Sequence, residues 1–242
     1  MTTSSGIHSS SIIAHRGASR DFPENTVAAF RGAIDQGADW VELDVRRTAD
    51  GVLVVHHDAD LGRPIAEQRA ADLPASVPTL AAALAACEHL GVNVEIKHAP
   101  HEPGFDPARS LAEATLAVIA DAARPATAPV LITSFDLGMI DRVHQLDPSM
   151  PTGLLTVGVV PERVERVVAL THERGHVALH PDDASTDAAL VEAAHGAGLA
   201  CNVWTVDEPQ RLRELAALGV DGVITNVPAA ARRALGHDGP SR

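Results

Sequence analysis

Cysteine and aromatic residues are scarce in this chain of 242 residues. It has two cysteines, two tryptophans, four phenylalanines and no tyrosine. Cys87 and Cys201 stand far apart in apolar segments, so the sequence indicates neither a disulfide framework nor a metal site built from thiolates. We expect the two cysteines to be small core residues in a reducing compartment.

Positive charge is also in short supply. Lysine and arginine total 19 against 32 aspartate and glutamate residues, which gives a formal net charge of -13. This negative charge disfavours nucleic acid and anionic membrane surfaces as partners. An anionic small-molecule substrate must therefore meet positive charge that is concentrated within its binding site.

Segments that would direct the chain to a membrane are missing from the sequence. No uninterrupted apolar run approaches the roughly 18 residues that span a bilayer. Residues 1–11 are polar and rich in serine, without the basic start and the apolar stretch of about 7 to 15 residues that a signal peptide has. We expect a soluble, cytoplasmic protein without stable membrane association, and the sequence leaves its oligomeric state open.

The side chains suited to chemistry are concentrated in residues 14–57. There the motif AHRGASRDFPENT is followed by VELDV and then by TADGVLVVHH. Side chains alternate between the two faces of a strand, so Glu42 and Asp44 share one face of the VELDV strand and its apolar residues share the other. Two adjacent carboxylates repel each other unless a cation lies between them. The plainer alternative is a solvated strand edge.

A β-hairpin is predicted to bring a histidine to the same face. The Asp-Gly step after VELDVRRTA marks a tight turn, so the VLVVHH segment should return antiparallel along the VELDV strand. A two-residue loop at 49–50 places His57 opposite Glu42, whereas a loop at 50–51 places it opposite Asp44. In both registers an imidazole lies beside the carboxylates, which suits a metal-assisted hydrolase that uses acid-base catalysis.

Taken together, the motifs of this chain resemble those of the glycerophosphodiester phosphodiesterase family. Each motif is weak alone, but their order and spacing are specific over residues 12–230. The matching motifs are HRG at 15–17, PENT at 23–26, ELDV at 42–45, DG at 50–51, HD at 57–58, VPTL at 77–80, NVEIK at 93–97, SF at 134–135, NVWTV at 202–206 and GVDGVITNVP at 219–228.

Short apolar strands alternate with Ala/Leu-rich helical stretches along the chain. With the family resemblance, eight such pairs predict an α/β fold, a single TIM (β/α)8 barrel at 11–236 with a flexible N-terminal tail at 1–10 and a C-terminal tail at 237–242. Residues 52–56 are a surplus strand, which we interpret as a hairpin extension of the second barrel strand. Barrel strands are predicted at 12–16, 40–46, 92–97, 130–133, 152–157, 176–179, 200–205 and 222–225.

The resemblance implies roles for eight side chains near the ends of these strands. Three carboxylates would bind a divalent cation, and because the ligands are all oxygen atoms we expect Mg²⁺ or Ca²⁺. Two histidines would act as an acid-base pair on opposite sides of phosphorus, while two cations and an aromatic ring would bind the substrate. The residues are Glu42, Asp44 and Glu95 for the cation, His15 and His57 for catalysis, and Arg16, Lys97 and Trp204 for the substrate.

Some of these residues also have plainer interpretations. Glu95 and Lys97, two positions apart on one strand, suit an intrastrand ion pair that contributes little if exposed. His15 suits a buried histidine that has a hydrogen-bond partner. Trp204 suits a core aromatic residue.

Two departures from the family pattern lie near the predicted site. The insertion that usually caps the site is shortened here to residues 59–76, which predicts a more open pocket. The sequence therefore does not determine which alcohol the substrate releases. Asn226 stands where the family commonly has aspartate. This second change alters the surroundings of the site but removes no predicted ligand.

The resemblance implies metal-dependent hydrolysis of glycerophosphodiesters, such as glycerophosphocholine or glycerophosphoethanolamine, to glycerol 3-phosphate and an alcohol. Whether water or a neighbouring hydroxyl of the substrate attacks phosphorus is open. One alternative is a related lysophospholipid- or sphingomyelin-type phosphodiesterase that acts by cyclisation, although such enzymes are usually secreted and disulfide-bonded. Another is a non-catalytic phosphate-binding barrel, which we would expect to have lost His15 or His57.

Overall fold

The computed structural model describes residues 10–237 apart from positions 88 and 123, and these residues form a closed barrel. Eight parallel strands surround the barrel axis, and the last of them pairs with the first. A ninth strand pairs antiparallel with the second. The strands are β1 (Ser11–His15), β2 (Trp40–Arg47), β3 (Leu53–Val55), β4 (Gly91–Ile96), β5 (Val130–Ser134), β6 (Thr152–Thr156), β7 (Ala178–Pro181), β8 (Ala200–Val203) and β9 (Gly222–Thr225).

Eight α-helices in the described residues cover the outside of the barrel. Four of them begin after a residue whose side chain accepts a hydrogen bond from the first turn, namely Thr26, Thr79, Asp136 and Asp187. None of the described helices has the length and apolar character that crossing a membrane requires. The helices are α1 (Val27–Asp35), α2 (Leu80–Ala86), α3 (Leu111–Asp121), α4 (Leu137–Leu146), α5 (Val164–Glu173), α6 (Ala188–Gly196), α7 (Pro209–Leu218) and α8 (Pro228–Ala234).

The predicted TIM barrel with a hairpin extension of its second strand is therefore confirmed. As in other parallel sheets, the strands are buried on both faces. On β2 the alternate residues Val41, Leu43 and Val45 are fully buried and belong to the apolar cluster between sheet and helices. Cys87 and Cys201 are buried and unpaired, which confirms that they are core residues.

The hairpin formed by β2 and β3 differs from the prediction in its register. Its loop has three residues, 49–51, and the Thr48 N–H donates to the Val52 carbonyl oxygen across it. Gly51 has a φ of 83°, the left-handed conformation that favours glycine and that three-residue hairpin loops use. Both predicted two-residue loops are therefore wrong, and His57 pairs with neither carboxylate across the hairpin.

The segment between β3 and α2 is the shortened cap. It contains two single-turn 3₁₀ helices, Ile65–Glu67 and Ala70–Asp72, and it is anchored by the buried side chain of Ile65. Of the predicted tails at 1–10 and 237–242, all but one residue of each lies outside the described residues. Ser10 is described, and its buried hydroxyl donates to the Val220 carbonyl oxygen.

Arg124, in the loop after α3, closes the carboxyl end of α2. Its guanidinium donates to the carbonyl oxygens of Leu84, Cys87 and Leu90. We expect Arg124→Met to lower the free energy of unfolding by about 2–4 kcal/mol, because several partly buried carbonyl groups lose a charged donor together. Urea unfolding measures this change.

Arg142 provides the matched control for this stability prediction. Its partly exposed side chain on α4 makes an ion pair with Glu113. Such surface pairs contribute about 0–1 kcal/mol, so Arg142→Met should shift the urea midpoint far less than Arg124→Met does. Equal shifts in the two variants would contradict the capping role of Arg124.

Candidate active site

The register of the barrel strands places the predicted site residues in two adjacent layers near the carboxyl end of the barrel. His15 on β1 is paired with Glu42 on β2, which is paired with Asn93 on β4. One layer further along, Asp44 is paired with Glu95. Since positions two apart on a strand share a face, these side chains converge on the same interior region.

Glu42, Asp44 and Glu95 form a compact acidic cluster. One carboxylate oxygen from each lies within 4.8 Å of those of the other two. All three residues are buried, so the predicted alternative of a solvated strand edge is excluded for Glu42 and Asp44. Buried carboxylates at this separation repel each other strongly, and the cluster therefore needs positive charge close by.

Two basic side chains supply part of that charge. Lys97 Nζ lies 3.1 Å from Asp44 Oδ1 and 2.7 Å from Glu95 Oε1. Arg16 Nε lies 3.2 Å from Asp44 Oδ2. The ion pair between Glu95 and Lys97 that the sequence allowed is thus present, but as a buried part of the cluster.

The cluster fits a divalent cation. When all three carboxyl groups are ionised, the two basic side chains leave one negative charge in excess. Within the described part of the chain, Glu42 Oε1 is buried and has no hydrogen-bond partner. A set of carboxylate oxygens is the ligand type that Mg²⁺ and Ca²⁺ prefer, and Glu42, Asp44 and Glu95 could hold such an ion.

The pKa values of the three carboxyl groups show the effect of burial and of their neighbours. Burial and the charges of Asp44 and Glu95 raise the pKa of Glu42 well above its ordinary value. Burial and Asp44 raise the pKa of Glu95 to about 7. Burial also acts to raise the pKa of Asp44, but Lys97 and Arg16 outweigh it and the pKa is lowered. A bound cation would favour the ionised form of all three.

Asn25 positions Asp44, a role that the sequence analysis did not assign. Its Nδ2 donates to Asp44 Oδ2 at 2.7 Å, and its backbone has a φ of 57°, which asparagine tolerates better than most residues. The surrounding loop is tight, since a Cβ on Gly17 would lie 2.6 Å from the backbone of Ala29. The available signal was an asparagine placed just before the helix cap in the PENT motif.

His15 is held by a chain of hydrogen bonds from distant parts of the sequence. Its Nδ1 lies 2.8 Å from Asn226 Oδ1, while Asn226 Nδ2 donates to Asp207 Oδ2 at 2.8 Å. Because the amide oxygen can only accept, His15 carries its proton on Nδ1 and presents an unprotonated Nε2, which lies 4.0 Å from Glu42 Oε2. Burial and the charge of Arg16 lower the pKa of His15.

His57 follows the last residue of β3 by two positions, where the chain has left the sheet. Its Nδ1 lies 2.7 Å from Asp58 Oδ1, so this imidazole also carries a proton on Nδ1 and has Nε2 available. Its side chain is 36% exposed. Burial and Lys97 lower the pKa of His57, although Asp44 and the bond to Asp58 oppose the shift.

Arg16 is fixed on both its main chain and its side chain. Its backbone N–H donates to Glu42 Oε2 at 3.0 Å, and Nη1 lies 3.0 and 3.1 Å from the two carboxylate oxygens of Glu24. The residue has a φ of 57°, so this arrangement is held against a backbone preference. The guanidinium is therefore preorganised beside the acidic cluster.

Trp204 contributes an apolar surface to the site. Its Nε1 donates to the His180 carbonyl oxygen at 2.9 Å, and its ring meets Phe135 edge to face with centroids 5.5 Å apart. Both rings line a cavity of about 160 Å³, which excludes the plainer interpretation of Trp204 as an internal core residue. The remaining lining residues are His15, Arg16, Glu42, His57, Asn93, Glu95, Lys97, Leu155 and Ile224.

The structure thus brings all eight predicted residues together. Seven of them line this one cavity, and the eighth, Asp44, lies behind it in contact with Arg16 and Lys97. The acids, bases and cations of the lining come from β1 to β4 and the residues that follow these strands, whereas the apolar residues come from β5, β6, β8 and β9 or directly after them. This division suits a substrate with a charged group to be transformed and an uncharged part to be held.

A (β/α)8 barrel with such a cavity at the carboxyl ends of its strands belongs to the class of barrel enzymes. The family model for glycerophosphoryl diester phosphodiesterases matches residues 15–75 and 62–230. A glycerophosphodiester phosphodiesterase of Caldanaerobacter subterraneus subsp. tengcongensis is 32% identical over 243 residues, covering 90% of this chain and 94% of that protein. The chain belongs to the glycerophosphoryl diester phosphodiesterase family, and it is an enzyme of phosphodiester hydrolysis.

Solved structures of similar proteins have the same fold. A glycerophosphodiester phosphodiesterase from Thermotoga maritima is 27% identical with a TM-score of 0.74, covering 92% of this chain and 96% of that one. A phosphodiesterase from Oleispira antarctica, solved in complex with the product sn-glycerol-3-phosphate, is 25% identical with a TM-score of 0.80, covering 93% and 96%. The predicted family is thus confirmed along nearly the whole barrel.

Proposed function

We propose that this chain hydrolyses glycerophosphodiesters, such as glycerophosphocholine or glycerophosphoethanolamine, to glycerol 3-phosphate and an alcohol, with a divalent cation bound in the acidic cluster. The observation that carries the proposal is the convergence of three carboxylates, two fixed cations and two imidazoles on one cavity. The product bound to the Oleispira antarctica relative is consistent with it.

Glu42, Asp44 and Glu95 would hold the cation, and Mg²⁺ and Ca²⁺ are the ions that their oxygen atoms favour. When bound, such an ion stabilises negative charge on a phosphoryl oxygen as a Lewis acid. Arg16 and Lys97 add fixed positive charge to the same side of the cavity. In a protein with a net charge of -13, this concentration of cations is what would attract a phosphodiester anion.

The two imidazoles would divide the proton transfers between them. The nitrogen that His15 presents is unprotonated, and its other nitrogen is backed by the neutral amide of Asn226, which suits a general base. The carboxylate of Asp58 backs His57 and favours its protonated form, which suits a general acid for the departing alcohol. Burial and Lys97 lower the pKa of His57, and the negative charge of a bound phosphodiester would act with Asp58 against that lowering.

Trp204 and Phe135 would hold the uncharged part of the substrate. Their rings line the same cavity as the basic side chains, so a glycerol or alcohol moiety would lie against them while the phosphate meets Arg16 and Lys97. None of the described residues that line this cavity comes from the shortened cap at 59–76.

A coupled assay for glycerol 3-phosphate tests the proposed reaction. We expect release from glycerophosphocholine or glycerophosphoethanolamine, loss of activity in EDTA, and recovery when Mg²⁺ or Ca²⁺ is added back, because the excess negative charge of the cluster then has its counterion. Release of phosphocholine and glycerol instead would mean that the bond on the glycerol side of phosphorus is cleaved, which would contradict the proposal. Full activity in EDTA would contradict the role of the carboxylates.

A further inference from the structure

Arg46 stands next to the site but outside the set of residues that line its cavity. It lies on β2, two positions beyond Asp44, and its side chain is only 8% exposed. Its Nε and Nη2 donate to the His57 carbonyl oxygen at 2.8 and 2.5 Å. Arg46 therefore contacts the main chain of His57, the proposed general acid.

Glu102 holds the other side of this guanidinium. Arg46 Nη1 lies 2.9 Å from Glu102 Oε2, and Nη2 lies 3.1 Å from Glu102 Oε1. Such a two-point contact with a carboxylate fixes the plane of a guanidinium, which a lysine ammonium cannot reproduce. Glu102 comes from the loop after β4, so the contact joins two loops at the carboxyl end of the barrel.

The main chain around His57 needs such support because β3 ends at Val55. Beyond that point the His56 N–H donates to the Asp44 carbonyl oxygen at 3.0 Å, and one residue later the His57 carbonyl oxygen accepts from Arg46. Both anchors belong to β2. The strand that carries two carboxylates of the acidic cluster thus also holds the backbone of the histidine at two points.

We propose that Arg46, oriented by Glu102, is a positioning residue that holds His57 at the correct distance from the acidic cluster for proton transfer to the leaving group. This inference rests on the proposed function, since it requires His57 to be the general acid. Neither Arg46 nor Glu102 touches the cavity, so their effect passes through the His57 main chain. A displacement of about 1 Å at a reacting group can lower the rate on the order of 10²-fold.

Leaving-group dependence separates this role from a purely structural one. Glycerophosphocholine releases a basic alkoxide and needs a general acid, whereas the 4-nitrophenyl ester of glycerol 3-phosphate releases a phenolate that leaves without a proton. We expect Arg46→Lys to lower kcat for glycerophosphocholine roughly 10- to 100-fold with KM nearly unchanged. Its kcat for the nitrophenyl ester should stay within a few-fold of wild type, and Glu102→Gln should show the same pattern more weakly.

Arg47→Lys is the matched control. Arg47 is the next residue on β2, and it bonds to Ser110 Oγ instead of to the His57 loop, so both substrates should retain their wild-type rates. Equal slowing of both substrates by Arg46→Lys, or slowing of neither, would overturn the positioning role. Glu102→Gln decides the question if Arg46→Lys does not fold.

The same two substrates also distinguish a failure of the proposed function from a failure of the positioning role of Arg46. His57→Ala should show the leaving-group difference in full. If it slows both esters equally, the acid role of His57 is refuted, and the positioning role of Arg46 fails with it. If the wild-type protein releases no glycerol 3-phosphate from either ester, the proposed reaction is refuted before any variant is compared.

Discussion

Replacing His57 by alanine is expected to lower kcat for glycerophosphocholine by a factor of about 10²–10⁴, the usual contribution of a general acid. The imidazole lines the cavity, presents Nε2 and is backed by Asp58. None of these features contributes a ligand to the acidic cluster, so the variant should still bind the cation. His15→Ala is expected to lower kcat to a similar degree, because the other proton transfer then lacks its base.

Thermal unfolding provides the check that these losses are chemical. Both histidine variants should keep most of the upward shift in Tm that Mg²⁺ or Ca²⁺ produces in the wild-type protein. His172→Ala removes an exposed histidine on α5, far in the sequence from any proposed site residue, and should leave kcat unchanged. Activity of His57→Ala within a few-fold of wild type would refute its acid-base role.

Glu42→Gln is expected to abolish cation binding and to lower activity by more than about 100-fold. Loss of a residue that only hydrogen-bonds to a metal ligand typically costs about 10–100-fold, and loss of a direct ligand should cost more. The glutamine keeps the shape of the side chain and cannot ionise, so it avoids the cost of a buried negative charge beside Asp44 and Glu95. In EDTA the variant should therefore unfold at or above the wild-type temperature. This combination, an inactive protein that is no less stable, is a specific consequence of the clustered carboxylates.

The cation response of Tm measures the same effect directly. A ligand at a hundredfold excess over its Kd stabilises a protein by about 2.7 kcal/mol, which is about 5–10 °C in Tm for a domain of this size. The wild-type protein and the exposed control Glu165→Gln on α5 should show this shift, whereas Glu42→Gln should show little. A full shift in Glu42→Gln would exclude Glu42 as a ligand.

Local sequence patterns were sufficient to predict the parts of the site that lie within single strands. Glu42 and Asp44 share a face because side chains alternate along a strand, and Glu95 meets Asp44 because neighbouring parallel strands of a barrel keep a regular register. The barrel itself followed from the repeated alternation of strands and helices together with the order of the family motifs. The eight predicted site residues were assigned from the same motifs.

Local sequence patterns could not predict the contacts between distant segments of the chain. Asn25 was not predicted to bind Asp44, and the bond from His15 to Asn226 spans 211 positions of the chain. The hairpin loop was predicted one residue too short, because either a two-residue or a three-residue turn can contain an Asp-Gly step. His57 reaches the cavity from beyond the end of β3, by a path that no strand register describes.

The sequence by itself determined which side chains this enzyme has for its chemistry and on which strand faces they lie, because period and register are local properties of the chain. Only the tertiary structure decided how each side chain is oriented and charged. Burial, the placement of Arg16 and Lys97 among the carboxylates, and the hold of Arg46 on the His57 loop arise from elements that meet in space, and electrostatic and hydrogen-bond energies depend on those distances.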